Sequence, residues 1–119
     1  MQMPNTLPHN WKELDQVLLL HFVRQWSGTS LITQTHVSVT AAKFFPHLVC
    51  CEVDVESHAA LLEEFRVSQV PSVLLLRKGQ VLASFGGLFP KAKLEAAIRE
   101  LLPIGTMDLE RLDNNEKQQ

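Results

Sequence analysis

Cys50 and Cys51 are the two thiols of this 119-residue chain, and they are adjacent. Neighbouring residues of a strand point to opposite faces, so a disulfide closed between them would be strained. Two cysteines are also too few for a disulfide scaffold. The pair reads as two small buried apolar side chains, with a redox-sensing pair as the functional alternative. His9, His36, His47 and His58 have no close ligand spacing with one another or with the cysteines. They are expected on the surface or in loops, with no metal and no cofactor. A third group of polar residues, Ser27, Thr29 and Ser30, sits in the stretch Trp26-Ser27-Gly28-Thr29-Ser30. It reads as a turn whose hydroxyls can satisfy the free N–H groups at the start of the next helix.

The elements that position these residues follow from periodicity and punctuation. Val17–Val23 is continuously apolar except for His21, as expected of a strand buried on both faces. A helix is predicted from Ser30 to Phe45, with Leu31, Thr35, Val39 and Ala42 recurring at helical spacing and Pro46 stopping it. Leu48–Val55 is the next strand, which places both cysteines in a sheet. Ser57 begins a helix running to Phe65, with Leu61, Leu62 and Phe65 on one face. Val73–Arg77 and Val81–Phe85 form an antiparallel hairpin around Lys78-Gly79. Gly86-Gly87 breaks the chain before an amphipathic helix over Lys91–Leu102, with Leu94, Ala97, Ile98 and Leu101 inward. The order β-α-β-α-β-β-α predicts a mixed α/β sheet with helices on both faces. Strands joined across helices are expected to be parallel.

Residues 1–16 read as an arm with a short helix from Trp11 to Gln16 capped by Asn10, residues 17–102 as the domain, and residues 103–119 as a polar, partly disordered tail. Apolar residues make up 45% of the chain and charged residues 20%, enough for one core. The formal charge of -2 comes with no basic stripe, so nucleic acid is not the expected partner. The apolar runs Val17–Leu20 and Val73–Leu76 are too short for a bilayer. The first ten residues do not read as a signal peptide, and a cytoplasmic address is the expectation.

Several segments together resemble the thioredoxin family over about Val17 to Leu102. Phe22 followed by Trp26-Ser27-Gly28-Thr29-Ser30 is similar to the family's strand end and Trp-Cys-Gly-Pro-Cys turn. Phe65-Arg66-Val67 and Val70-Pro71-Ser72 resemble the segment around its cis-proline. Lys78-Gly79 and Gly86-Gly87 match its hairpin turn and later glycine, and the interval from Ser27 to Pro71 fits without a gap. The resemblance implies the three-layer thioredoxin-like fold with its first strand shortened or absent. It aligns Ser27 and Ser30 with the two redox cysteines, and Thr29 with the proline between them. A serine hydroxyl is barely ionised at neutral pH and forms no sulfur–sulfur bond, so the expectation is a protein that is not an enzyme.

The resemblance also aligns His21 and Glu52 with a buried aspartate and a lysine of the family. They are expected to lie within direct or water-bridged reach, with the carboxylate making His21 hold its proton more tightly. Ser30, His21 and Glu52 have the residue types of a nucleophile, base and orienting acid, but the implied site is internal and lacks oxyanion donors. The groove implied by the family is framed by Trp26, Val70, Pro71 and Gly86. The expected role is a protein-binding adaptor or chaperone that takes an extended peptide there, with a homodimer as a further possibility. The alternative is a glutathione-binding or weak redox enzyme using Ser27 or Cys50 and Cys51.

Overall fold

The computed structural model describes residues 7–25 and 27–102; Trp26 and the predicted tail 103–119 lie outside them. Seven elements follow in the predicted order: β1 (Val17–Val23), α1 (Gly28–Phe44), β2 (Leu48–Asp54), α2 (Ala59–Glu64), β3 (Ser72–Arg77), β4 (Gln80–Gly86) and α3 (Lys91–Leu101). The strands form one sheet in the order β2-β1-β3-β4. β1 is buried along its whole length, because strands flank it on both sides and helices cover both faces.

The pleat divides the core in two. Val17 and Leu19 join Cys50, Val73 and Leu75 under α1 and α3, where Val37, Phe44, Leu94 and Ile98 close the layer. Leu18, Leu20 and Phe22 join Cys51, Val53 and Leu76 on the other face, covered by Leu61, Leu62 and Phe65 and by Leu7, Trp11 and Leu14 of the N-terminal segment. Cys50 and Cys51 thus fall on opposite faces, as alternation requires.

Three expectations are corrected. β1 and β2 are parallel, but β3 runs antiparallel to β1, with Ser72 opposite Phe22 and Leu76 opposite Leu18. The crossover helix α2 has six residues, about 9 Å of rise. That is too short to return the chain to the other end of the sheet, so β3 enters where β2 leaves. The predicted helix at Trp11–Gln16 is instead a pair of turns, with Trp11 N–H bonded to Pro8 O and Glu13 N–H to Asn10 O. Packing holds this segment: the Trp11 and Phe65 rings meet at a tilt of 58° with centres 5.1 Å apart, and Lys78 N–H donates to Leu14 O.

The third correction concerns α1. Its buried face is Ser30, Thr33, Val37, Thr40, Ala41 and Phe44. Leu31 (61%), Ile32 (50%) and Val39 (46%) are exposed, and so are Thr35 and Ala42. The stripe that sequence spacing would turn inward therefore faces out. The core layer below it is completed by Val37 and Phe44, with the threonines binding backbone carbonyls one turn earlier: Thr33 to Thr29 O and Thr40 to His36 O.

Candidate functional site

The mouth of α1 is built by its own hydroxyls. Ser27 is the N-cap, with extended φ and ψ, and its Oγ accepts from Ser30 N–H at 3.3 Å. Ser30 is buried, and its Oγ accepts from the Arg24 N–H at 3.2 Å, tying the helix to the end of β1. Both serines that the resemblance aligns with thiols are thus engaged in backbone hydrogen bonds. Thr29 is half-buried, and Gly28 is open, with nothing within 4 Å of the place a Cβ would take. Trp26 was expected to frame this site and lies outside the described residues.

Across the sheet end from this turn, the Val70–Pro71 peptide is cis and Pro71 is buried. Pro71 O accepts from Gly87 N–H at 2.8 Å, which fastens the end of β4 to the start of β3. Gly87 has φ +68, a backbone that favours glycine. The Gln69 side chain lies over Gly86 and Gly87: a Cβ at either would meet its amide atoms at 2.7 or 2.5 Å. Among the described residues, none hydrogen-bonds the peptide N–H or C=O of half-buried Val70. A second cis peptide, Phe45–Pro46, follows α1; the sequence reading took Pro46 as a helix stop alone.

The expected His21–Glu52 pair is not joined. The residues are register neighbours on β1 and β2, but the Glu52 carboxylate accepts from Gln34 Nε2 at 2.9 and 2.8 Å. His21 is fully buried, with no hydrogen-bond partner at either ring nitrogen. Burial lowers its pKa to about 4, the opposite of the tighter proton binding expected. Ser30 bonds Arg24, Glu52 bonds Gln34 and His21 bonds neither, so no nucleophile–base–acid relay forms among them. Gln34 is the residue the sequence reading missed. Its four-residue spacing from Ser30 is the signal that placed it on the same side of α1.

Cys50 and Cys51 are both buried and neither forms a disulfide. Burial, with the neighbouring Cys51 adding to it, pushes the Cys50 thiol up to about 12. Burial, with Glu52 adding to it, pushes Cys51 up to about 11. Both sulfurs are therefore held as neutral thiols at neutral pH. Beside Glu52 a cleft of about 350 Å³ opens between α1 and the strand ends, lined by Val23, Arg24, Ser27, Leu31 and Gln34. No group of three or more metal-ligating side chains is present among the described residues.

The thioredoxin family model matches residues 6–100. The chain is 32% identical over 85 residues to mitochondrial thioredoxin of Bos taurus, covering 71% of this chain and 51% of that protein. It therefore spans about half the length of that relative. It is 28% identical over 86 residues to thioredoxin of Haemophilus influenzae, covering 72% and 80% of the two chains. Among solved structures it is similar to the germline-specific thioredoxin Deadhead of Drosophila melanogaster, with TM-score 0.67, 29% identity, and 73% and 82% coverage. No helix of the described residues is long and apolar enough to cross a membrane. Some of the relatives are mitochondrial proteins, and the cytoplasmic address stays an expectation. The expectation that the chain is not an enzyme is likewise corrected. It rested on Ser27 and Ser30 standing where the family has cysteines and on Cys50 and Cys51 lying in the sheet, whereas the relatives are thioredoxins and this chain has two thiols, at Cys50 and Cys51. With nearly the whole described domain covered by the family model, the chain belongs to the thioredoxin family.

Proposed function

We propose that this thioredoxin-family protein captures an extended protein segment across the end of the sheet, at the groove between the mouth of α1 and Val70–Pro71. One observation carries the reading: the Val70 peptide group is left without a partner among the described residues, just before β3 begins. An unpaired N–H and C=O accept an extended chain by main-chain hydrogen bonds, and flanking pockets then sort its side chains. Gln69 over Gly86-Gly87 supplies a polar wall, and exposed Leu88 adds apolar area at the rim. The role is that of an adaptor or chaperone.

The test uses isotope-labelled protein and a reduced, carboxymethylated polypeptide as the unfolded probe. Binding is expected to shift the Val70 amide and slow its hydrogen exchange. Shifts confined to α2 and α3, with Val70 unmoved, would reject the groove.

A second reading, favoured by the thioredoxin relatives, places thiol–disulfide or glutathione chemistry in the same chain. Ser27 at the helix mouth could orient glutathione, while sulfur chemistry would use Cys50 and Cys51. A thiolate from either would attack a disulfide sulfur, form a mixed disulfide and expel the other sulfur as thiolate. The burial of both thiols means that β2 must open first. Insulin reduction with dithiothreitol tests it: turnover by the wild type that disappears in Cys50→Ser/Cys51→Ser supports this chemistry. Turnover unchanged by the double substitution removes it, and a glutathione titration tests the binding arm.

A further inference from the structure

We propose that two copies of this chain pair edge to edge through β2, antiparallel about a twofold axis, joining their four-stranded sheets into one. The two sheet edges differ. Natural edges are blunted by bulges, proline or lysine. The β4 edge is of this kind: its ladder with β3 shifts register between Leu75 and Leu76. β2 has no bulge, proline or lysine, and its charged side chains, Glu52 and Asp54, are confined to one end. Its seven residues keep one unbroken register with β1, and Leu48–Asp54 contains neither lysine nor proline. Among the described residues, no strand pairs with its outer edge.

The helix above that edge completes the surface. Leu31, Gln34, Thr35, Ser38 and Ala42 follow at three- and four-residue spacing and so form one stripe. The Gln34–Glu52 hydrogen bonds set this stripe over β2. From Gly28 to Ala42 the helix carries no Asp, Glu, Lys or Arg, and Leu31 is 61% exposed. A solvated helix flank normally carries charge. An uncharged flank over an open strand is suited to being covered by another layer of the same kind.

Charge placement selects the antiparallel arrangement. Glu52 and Asp54 stand at one end of β2, and a parallel pairing would set them beside their own copies, which is destabilising. The antiparallel pairing moves these acidic ends apart and brings each beside the partner's Leu48 end. Exposed Phe45 (60%) precedes that end, so it approaches Leu31 and the cleft beside Glu52 from across the axis. The surface is self-complementary, as a twofold contact requires. It leaves Val70–Pro71 open, on the far side of β1.

Sedimentation equilibrium of the full chain across the micromolar range tests this. The expected mass at high concentration is twice the 13.4 kDa of one chain. Leu31→Glu, at an exposed position that tolerates charge in the monomer, should raise the dimer dissociation constant at least about tenfold, since each copy's carboxylate then faces the apolar flank of the other. Leu88→Glu, at an equally exposed position beyond β4, should leave it unchanged. A monomer at every concentration overturns the proposal, as does a dimer that Leu31→Glu does not weaken or that Leu88→Glu weakens equally.

Discussion

The mouth of α1 and the middle of β2 hold the two sets of groups that could do sulfur or hydroxyl chemistry, and they are built in opposite ways. At the mouth Ser27 and Thr29 are half-buried beside a helix N-terminus that stabilises negative charge, but they are hydroxyls. In β2 the side chains are thiols, but the sheet and two core layers enclose them and hold their protons. Residue type and environment are thus separated in this chain. The chemistry available at each place is set by both together, and neither alone is enough.

Moving sulfur to the mouth should have the largest effect. Ser27→Cys should give a thiol that reacts with Ellman's reagent about a thousandfold faster at pH 7 than Cys50 or Cys51, since helix N-termini lower thiol pKa values and burial raises them. Equal rates would mean that the two environments do not differ as described.

Acid should expose the cost of the sheet interior next. His21 has a folded pKa of about 4 against 6.5 for the free side chain, so the unfolded chain binds its proton more readily. The neutral histidine's contribution is fully present above pH 6.5 and is lost as pH falls towards 4. About 3 kcal/mol of stability disappears over that window. Denaturant melts at pH 7 and pH 4.5 measure it, and His21→Leu should abolish most of this acid dependence. At pH 7 the same variant should match or exceed the wild type in stability, because two buried nitrogens without partners are removed.

The smallest effect lies at the mouth. Ser27→Ala removes the oxygen that accepts from Ser30 N–H and should cost about 1 kcal/mol in a urea melt. A loss within error would mean that the cap is replaced by water.

Legibility in the sequence follows the same division. Strands announced by continuous apolar runs, the glycine-bearing hairpin at Lys78-Gly79 and the alternation of Cys50 and Cys51 are local properties, and they appear in the structure as read. The hairpin needs positive φ at both turn residues, and Gly79 also passes within 3.2 Å of the Lys12 backbone at the place a Cβ would take. What was not legible depends on partners distant in the chain. The inward face of α1 is ambiguous because its opposite sides are both uncharged, so spacing could not choose between Leu31–Thr35 and Thr33–Val37. The direction of β3 depends on how far α2 carries the chain. Glu52 was given to His21 by register, but Gln34 reaches it from above with a donor already oriented.

The thiols of β2 are reached only when that strand opens, while half-buried Ser27 at the helix mouth and half-buried Val70 are reached in the folded protein. A direct test compares the rate of Cys50 and Cys51 modification by Ellman's reagent with hydrogen exchange of the β2 amides that bond β1 in the same native protein. The expected result is a shared opening free energy for labelling and exchange, both falling together in mild urea. Complete labelling within seconds at pH 7, while the β2 amides stay protected, would contradict it.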